Sequence, residues 1–137
     1  MQQQEATFVA TDRLAVGPSP IHGTGVFARR GFVPDDVIET CPVIVCPPGE
    51  EELLEQTNLR GLYFHWEGDG VALALGFGSL YNHAWGANAR YEPDPANDLI
   101  RFICVRPIAD GDEVTINYTG DPDGVGELWF DAGPAPG

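Results

Sequence analysis

Apolar residues in this chain come in short bursts punctuated by glycine and proline, and they alternate with polar positions more often than they follow a helical period. Ala6–Val16 carries Phe8, Val9, Leu14 and Val16 in loose alternation and predicts a first strand, broken by Gly17-Pro18-Ser19-Pro20. Gly25–Ala28 predicts a second. Val33-Pro34-Asp35-Asp36 reads as a turn into Val37-Ile38-Glu39, and Val43-Ile44-Val45-Cys46 as a buried strand ended by Pro47-Pro48. Leu62–Trp66 and Val71–Leu75 flank Glu67-Gly68-Asp69-Gly70. Glycine there can take the positive φ of a tight turn, so a hairpin is expected. Pro93–Asp98 reads as a loop and Ile100–Arg106 as a strand with Phe102 and Cys104 on one face. Ala109-Asp110-Gly111-Asp112 turns the chain into a last strand, Val114–Tyr118.

One segment, Gly49–Asn58, predicts a helix. Glu50, Glu51 and Glu52 suit the positive end of a helix dipole, and Leu53 and Leu54 give it an apolar face. A helix this short needs tertiary contacts to hold it. The expected class is therefore mainly β: short strands in several small sheets with one short helix. At 137 residues, with no repeat, residues 1–137 are expected to form a single domain. Its core spans about 7–118, and 119–137 is a tail rich in Gly, Pro and Asp whose apolar cluster is Leu128-Trp129-Phe130.

Charge narrows the partners. The formal net charge is -14, and all seven basic residues are arginine. Such a surface repels nucleic acid and anionic lipid, which argues against direct nucleic-acid or membrane binding and favours a basic protein or peptide. The bland alternative is that the acidity serves solubility alone. Three cysteines, Cys41, Cys46 and Cys104, form no paired framework and read as reduced, buried thiols. No apolar run approaches the roughly 20 residues that span a bilayer, and a cytoplasmic protein is expected. His22, His65, His83 and the cysteines fit no metal-ligand spacing.

Three motifs then stand out: Gly23-Thr24-Gly25 before Val26-Phe27-Ala28; Asn82-His83-Ala84-Trp85-Gly86-Ala87-Asn88; and Gly111-Asp112-Glu113-Val114-Thr115-Ile116-Asn117-Tyr118. Together they resemble the SET-domain family, whose members transfer methyl groups from S-adenosylmethionine to lysine amines. The resemblance runs from about Gly17 to Tyr118. It implies a β-clip fold in which the last two motifs form a C-terminal pseudoknot. It also implies that Gly23, Thr24 and Gly25 approach the cofactor by their backbone, that Asn82 contacts its amino-acid part, and that His83 holds adenine largely through its backbone. Tyr118 matches the catalytic tyrosine. Tyr81, Ile116 and Phe77 are expected to wall the substrate channel, with Tyr63 a further candidate whose plainer reading is core. By analogy with aromatic lids in the family, Trp129 or Phe130 would cover the cofactor. Where the family has serine and proline this chain has Ala84 and Ala87, so the Asn-His loop is expected to be less firmly held. No cysteine follows Cys104 in the sequence, so the cysteine-rich zinc segment that often continues the family's domain is not expected.

The implied activity is methyl transfer to the ε-amine of lysine in a basic protein. The alternatives are a SET module that binds a partner with little or no turnover, and an unrelated small β-barrel that binds a ligand. Substrate identity stays open, and a chain this short is compatible with completing its groove as a homodimer.

Overall fold

A computed structural model describes residues 9–124. Among these, the strands are β1 (Leu14–Pro18), β2 (Thr24–Ala28), β3 (Val37–Cys46), β4 (Tyr63–His65), β5 (Val71–Ala74), β6 (Asn82–His83), β7 (Ala89–Asp94), β8 (Leu99–Cys104) and β9 (Glu113–Ile116). The helix α1 covers only Glu51–Leu54, and a 3-10 turn covers Pro95–Asn97. The strands build a four-stranded sheet in the order β1-β2-β9-β6 and a five-stranded sheet in the order β4-β5-β3-β8-β7. This is the mainly β architecture expected.

The hairpin of β4 and β5 falls where the alternation put it, with Gly68 at φ +60° in its turn. Other elements differ for identifiable reasons. Of the strand expected at Ala6–Val16, residues 6–8 lie outside the described residues, and over 9–16 the chain is not one continuous strand. The Thr11 hydroxyl accepts the N–H groups of Arg13 and Leu14 at 3.1 and 3.0 Å and turns the chain there. Such hydroxyl-to-backbone bonds compete with extended pairing. Strand β1 then continues through Gly17 and Pro18, the expected break, because both pair with β2.

Val37–Glu39 and Val43–Cys46 are one ten-residue strand with a bulge near Ile38, which turns that side chain into the core. Its first half pairs with β8 and its second half with β5. Beyond Pro42 the strand has left β8, so Ile44 and Val45 are exposed rather than buried. The helix stops after one turn and gives way to successive turns up to Gly61. The expected loop at Pro93–Asp98 begins as strand, since Pro93 and Asp94 pair with Ile100 and Leu99, and continues through the 3-10 turn.

The core lies between the sheets. Phe32, Ile38, Tyr81, Ile100, Phe102, Val114 and Ile116 are almost fully buried in one cluster. Tyr81 lies over Phe102 with ring centroids 4.5 Å apart. Cys41 and Cys104 are free thiols inside it, and burial pushes both up from the ordinary thiol range. They behave as small apolar residues.

Candidate active site

Strands β6 and β9 are parallel, with Asn82 opposite Thr115 and His83 opposite Ile116. This pairing joins the Asn-His motif to the motif that ends in Tyr118. Asn88 extends the contact with its side chain. Its Nδ2 donates to the Glu113 carbonyl at 2.9 Å, and its Oδ1 accepts the Thr115 N–H at 2.9 Å. The carboxamide thus pairs with β9 as a backbone peptide would. The loop is held elsewhere too: the Ala84 N–H donates to the Ile116 carbonyl at 3.0 Å, and an Arg106 guanidinium N–H donates to the Ala87 carbonyl. Ala87 is fully buried. The loop that carries Ala84 and Ala87 is thus tied to β9 and to Arg106.

His83 and Tyr118 hold each other. The Tyr118 backbone N–H donates to His83 Nδ1 at 3.0 Å, which fixes the neutral imidazole tautomer protonated at Nε2. Burial holds this imidazole below the ordinary histidine value. Its ring packs edge-on against Trp85 and Tyr118, with centroids 4.4 and 5.4 Å away. The Tyr118 hydroxyl donates to the Tyr81 carbonyl at 2.6 Å. Burial pushes this phenol up to about 12, so it stays protonated at neutral pH. Tyr81 is itself fixed, donating its own hydroxyl to Glu39 Oε1 at 2.7 Å, while Glu39 Oε2 accepts the Phe77 N–H at 3.0 Å.

Tyr118, Ile116 and Tyr81 line one cavity of about 540 Å³. Tyr63, Phe64 and Tyr91 complete its aromatic wall, and Glu51, Glu52 and Glu55 line it from α1 and the turn beyond. The Tyr63 hydroxyl donates to Glu51 Oε2 at 3.2 Å and to a Glu55 oxygen. Its phenol is pushed up by burial and by these carboxylates. Phe77 is not on this wall. It is buried and faces a separate cavity beside Arg13 and Ile38. Tyr63, whose plainer reading was core, is on the wall. The signal that could have found it is the cluster of glutamates eight to twelve residues upstream, which a phenol hydroxyl can bridge.

The Gly23-Thr24-Gly25 loop joins the site through Asn82. The Asn82 Nδ2 lies 3.0 Å from each of the His22 and Thr24 carbonyls and 2.9 Å from Glu113 Oε2. Gly23 has φ +49°, which disfavours any side chain, and a Cβ built on it would enter open space. That open, Cβ-free position fits a ligand approaching by way of the backbone. Gly25 is different: its φ is ordinary, and a Cβ there would stand 2.2 Å from Glu113 Oε2. Glu113 also accepts the hydroxyl of Ser19, which lies in the Gly17-Pro18-Ser19-Pro20 segment. Trp129 and Phe130 lie outside the described residues.

Comparison with known proteins agrees with this geometry. A SET-domain family model matches residues 23–119, which contain all three motifs. The chain is 33% identical over 110 residues to a histone-lysine N-methyltransferase of Schizosaccharomyces pombe described as specific for H3 lysine 37. The match covers 80% of this chain and 71% of the relative. A solved Plasmodium falciparum structure with a provisional histone methyltransferase assignment superposes with a TM-score of 0.63 at 26% identity. It covers 88% of this chain and 98% of that one. The chain belongs to the SET-domain family of protein-lysine N-methyltransferases.

Proposed function

We propose that the 540 Å³ cavity receives a lysine side chain of a basic protein and that S-adenosylmethionine is the methyl donor bound beside the Gly23 loop. The observation that carries this reading is a half-buried, protonated Tyr118 hydroxyl on the wall of a cavity that is aromatic around it and carboxylate-lined along α1. When bound, the donor supplies a methyl group on a positively charged sulfur.

The chain's own residues do the rest. The carboxylates of Glu51, Glu52 and Glu55 attract a cationic side chain to the cavity. A free lysine amine is almost fully protonated at pH 7. Passage between Tyr63, Phe64 and Tyr91 strips water from it and favours the neutral form. The released proton returns to solvent, because a phenol held at about 12 is no base at neutral pH. Tyr118 and the Tyr81 carbonyl then offer a fixed dipole that orients the amine nitrogen, and alignment of this kind contributes several kcal/mol. Held there, the amine nitrogen would take the methyl group that the donor supplies as its bond to sulfur breaks. Ile116 presents no hydroxyl to hold a water beside the amine, so more than one methyl addition is compatible with the cavity.

Gly23 and Thr24 present backbone to the donor. Asn82 acts chiefly by holding that loop, since its Nδ2 is engaged by two loop carbonyls and Glu113. His83 holds Tyr118 in place. The S. pombe relative makes a histone H3 tail the first substrate to try.

The test is transfer of labelled methyl from S-adenosylmethionine to histone H3 and to a lysate of basic proteins, with mass spectrometry of labelled lysines. Labelled lysine that disappears in Tyr118→Phe supports the reading. Donor binding without transfer to any protein would favour a partner-binding module, and no donor binding would reject the enzyme.

A further inference from the structure

We propose that Glu113 is a positioning residue that sets the donor loop, acting as a clasp between residues 19–25 and the Asn82-His83 segment. The inference rests on the functional reading above only for what the loop binds. The clasp itself is a set of hydrogen bonds. Both Glu113 carboxylate oxygens accept the Ser19 hydroxyl, at 2.8 and 3.0 Å, and Oε2 accepts the Asn82 amide at 2.9 Å. Ser19 Oγ in turn accepts the N–H groups of Ile21 and His22 at 2.9 and 3.3 Å. One carboxylate thereby gathers the loop from one side through Ser19 and from the other through Asn82, which also reaches the His22 and Thr24 carbonyls. Hydrogen bonds to a charged acceptor are the stronger kind.

Gly25 belongs to the same device. Its missing Cβ is the space that Glu113 occupies, so this glycine serves the clasp, whereas Gly23, with open space beside it, serves the ligand. Glu113 stands at the start of β9, the strand that leads to Tyr118.

Glu113→Ala, Glu113→Gln and Ser19→Ala are compared with wild type in the full chain by calorimetry with S-adenosylmethionine, by steady-state kinetics and by amide hydrogen exchange of the donor-free protein. In Glu113→Ala the donor Kd and its KM rise about ten-fold or more, while kcat at saturating donor changes less than about three-fold. Exchange at Ile21 and His22 accelerates. Ser19→Ala moves Kd the same way by a smaller factor and adds little in the Glu113→Ala background, because both act through one contact. Glu113→Gln, which keeps the shape and one acceptor oxygen, recovers part of the loss. Unchanged Kd and unchanged exchange in Glu113→Ala, or losses that multiply between the two sites, would overturn the clasp. Should Glu113→Ala fail to fold, Glu113→Gln and Ser19→Ala give the same readouts. A wild type that binds no donor would reject the functional reading, and the exchange data would still decide the clasp.

Discussion

Gly23 and Gly25 look alike in the sequence, yet alanine should damage them for opposite reasons. Gly25 has no positive φ, so alanine there meets no backbone strain. It meets atoms instead: Glu113 Oε2 at 2.2 Å, Glu113 Cδ at 2.9 Å and Asn82 Nδ2 at 3.0 Å. The carboxylate must swing away and give up its bonds to Ser19 and Asn82. Overpacking of this kind costs about 1–3 kcal/mol, and a lost hydrogen bond to a charged group about 1.5–3 kcal/mol. Part of each is recovered by relaxation into solvent, which leaves about 3 kcal/mol for Gly25→Ala. At 137 residues that lowers Tm by about 10 °C. Gly23→Ala meets nothing within 4 Å and carries only the strain of φ +49°, about 1 kcal/mol. Urea melts of both variants, alone and with Glu113→Ala, measure this. With the carboxylate gone, the Gly25→Ala cost should fall below about 1 kcal/mol, since only the movable Asn82 amide remains in its way. Gly23→Ala should cost the same in either background. If Gly25→Ala is as costly without Glu113 as with it, the steric account of that glycine is wrong.

Tyr118→Phe should lower kcat about 100-fold or more and leave donor affinity within about two-fold, read by labelled-methyl transfer and calorimetry; and because burial holds the phenol up to about 12, the wild-type rate should show no Tyr118 ionisation between pH 7 and 10. His83 gives a stability prediction. Burial lowers its folded pKa, so the unfolded chain binds the extra proton first as pH falls. Its contribution is full above the unfolded value of 6.5 and is lost as pH falls through the folded one, and His83→Asn should flatten that part of the stability–pH curve in urea melts. Glu51→Gln with Glu55→Gln should raise KM for a basic peptide about three-fold with kcat little changed, and the effect should shrink with added salt.

Legibility followed the range of the interaction. Hairpin β4–β5 was readable because alternation and two turn glycines are local signals. The strand expected at Ala6–Val16 failed on a single hydroxyl, Thr11, whose turn-forming bond no hydrophobic pattern registers. Val43–Cys46 looked buried because its composition is apolar, but burial depends on which strand lies alongside, and β8 ends its pairing at Pro42. In the site, Tyr118, Ile116 and Tyr81 were found by motif resemblance, and the cavity brings them together. Phe77 lies close to the motif in sequence but faces the other cavity. The Ser19–Glu113 bond joins positions 94 residues apart and depends on side-chain direction, which one sequence does not reveal.

The parallel register of β6 and β9 has a consequence for the order of folding during synthesis. All strands of the five-stranded sheet have left the ribosome's decoding site once Cys104 is made. The four-stranded sheet has β1 and β2 earliest of all, but its central strand β9 is translated last of the nine. Ser19, Asn82 and the Gly23 loop therefore all await Glu113, whatever order the other strands take. The donor-loop contacts and the Tyr118 contact with Tyr81 are thus both completed by the strand made last, and a chain cut before Glu113 would lack both.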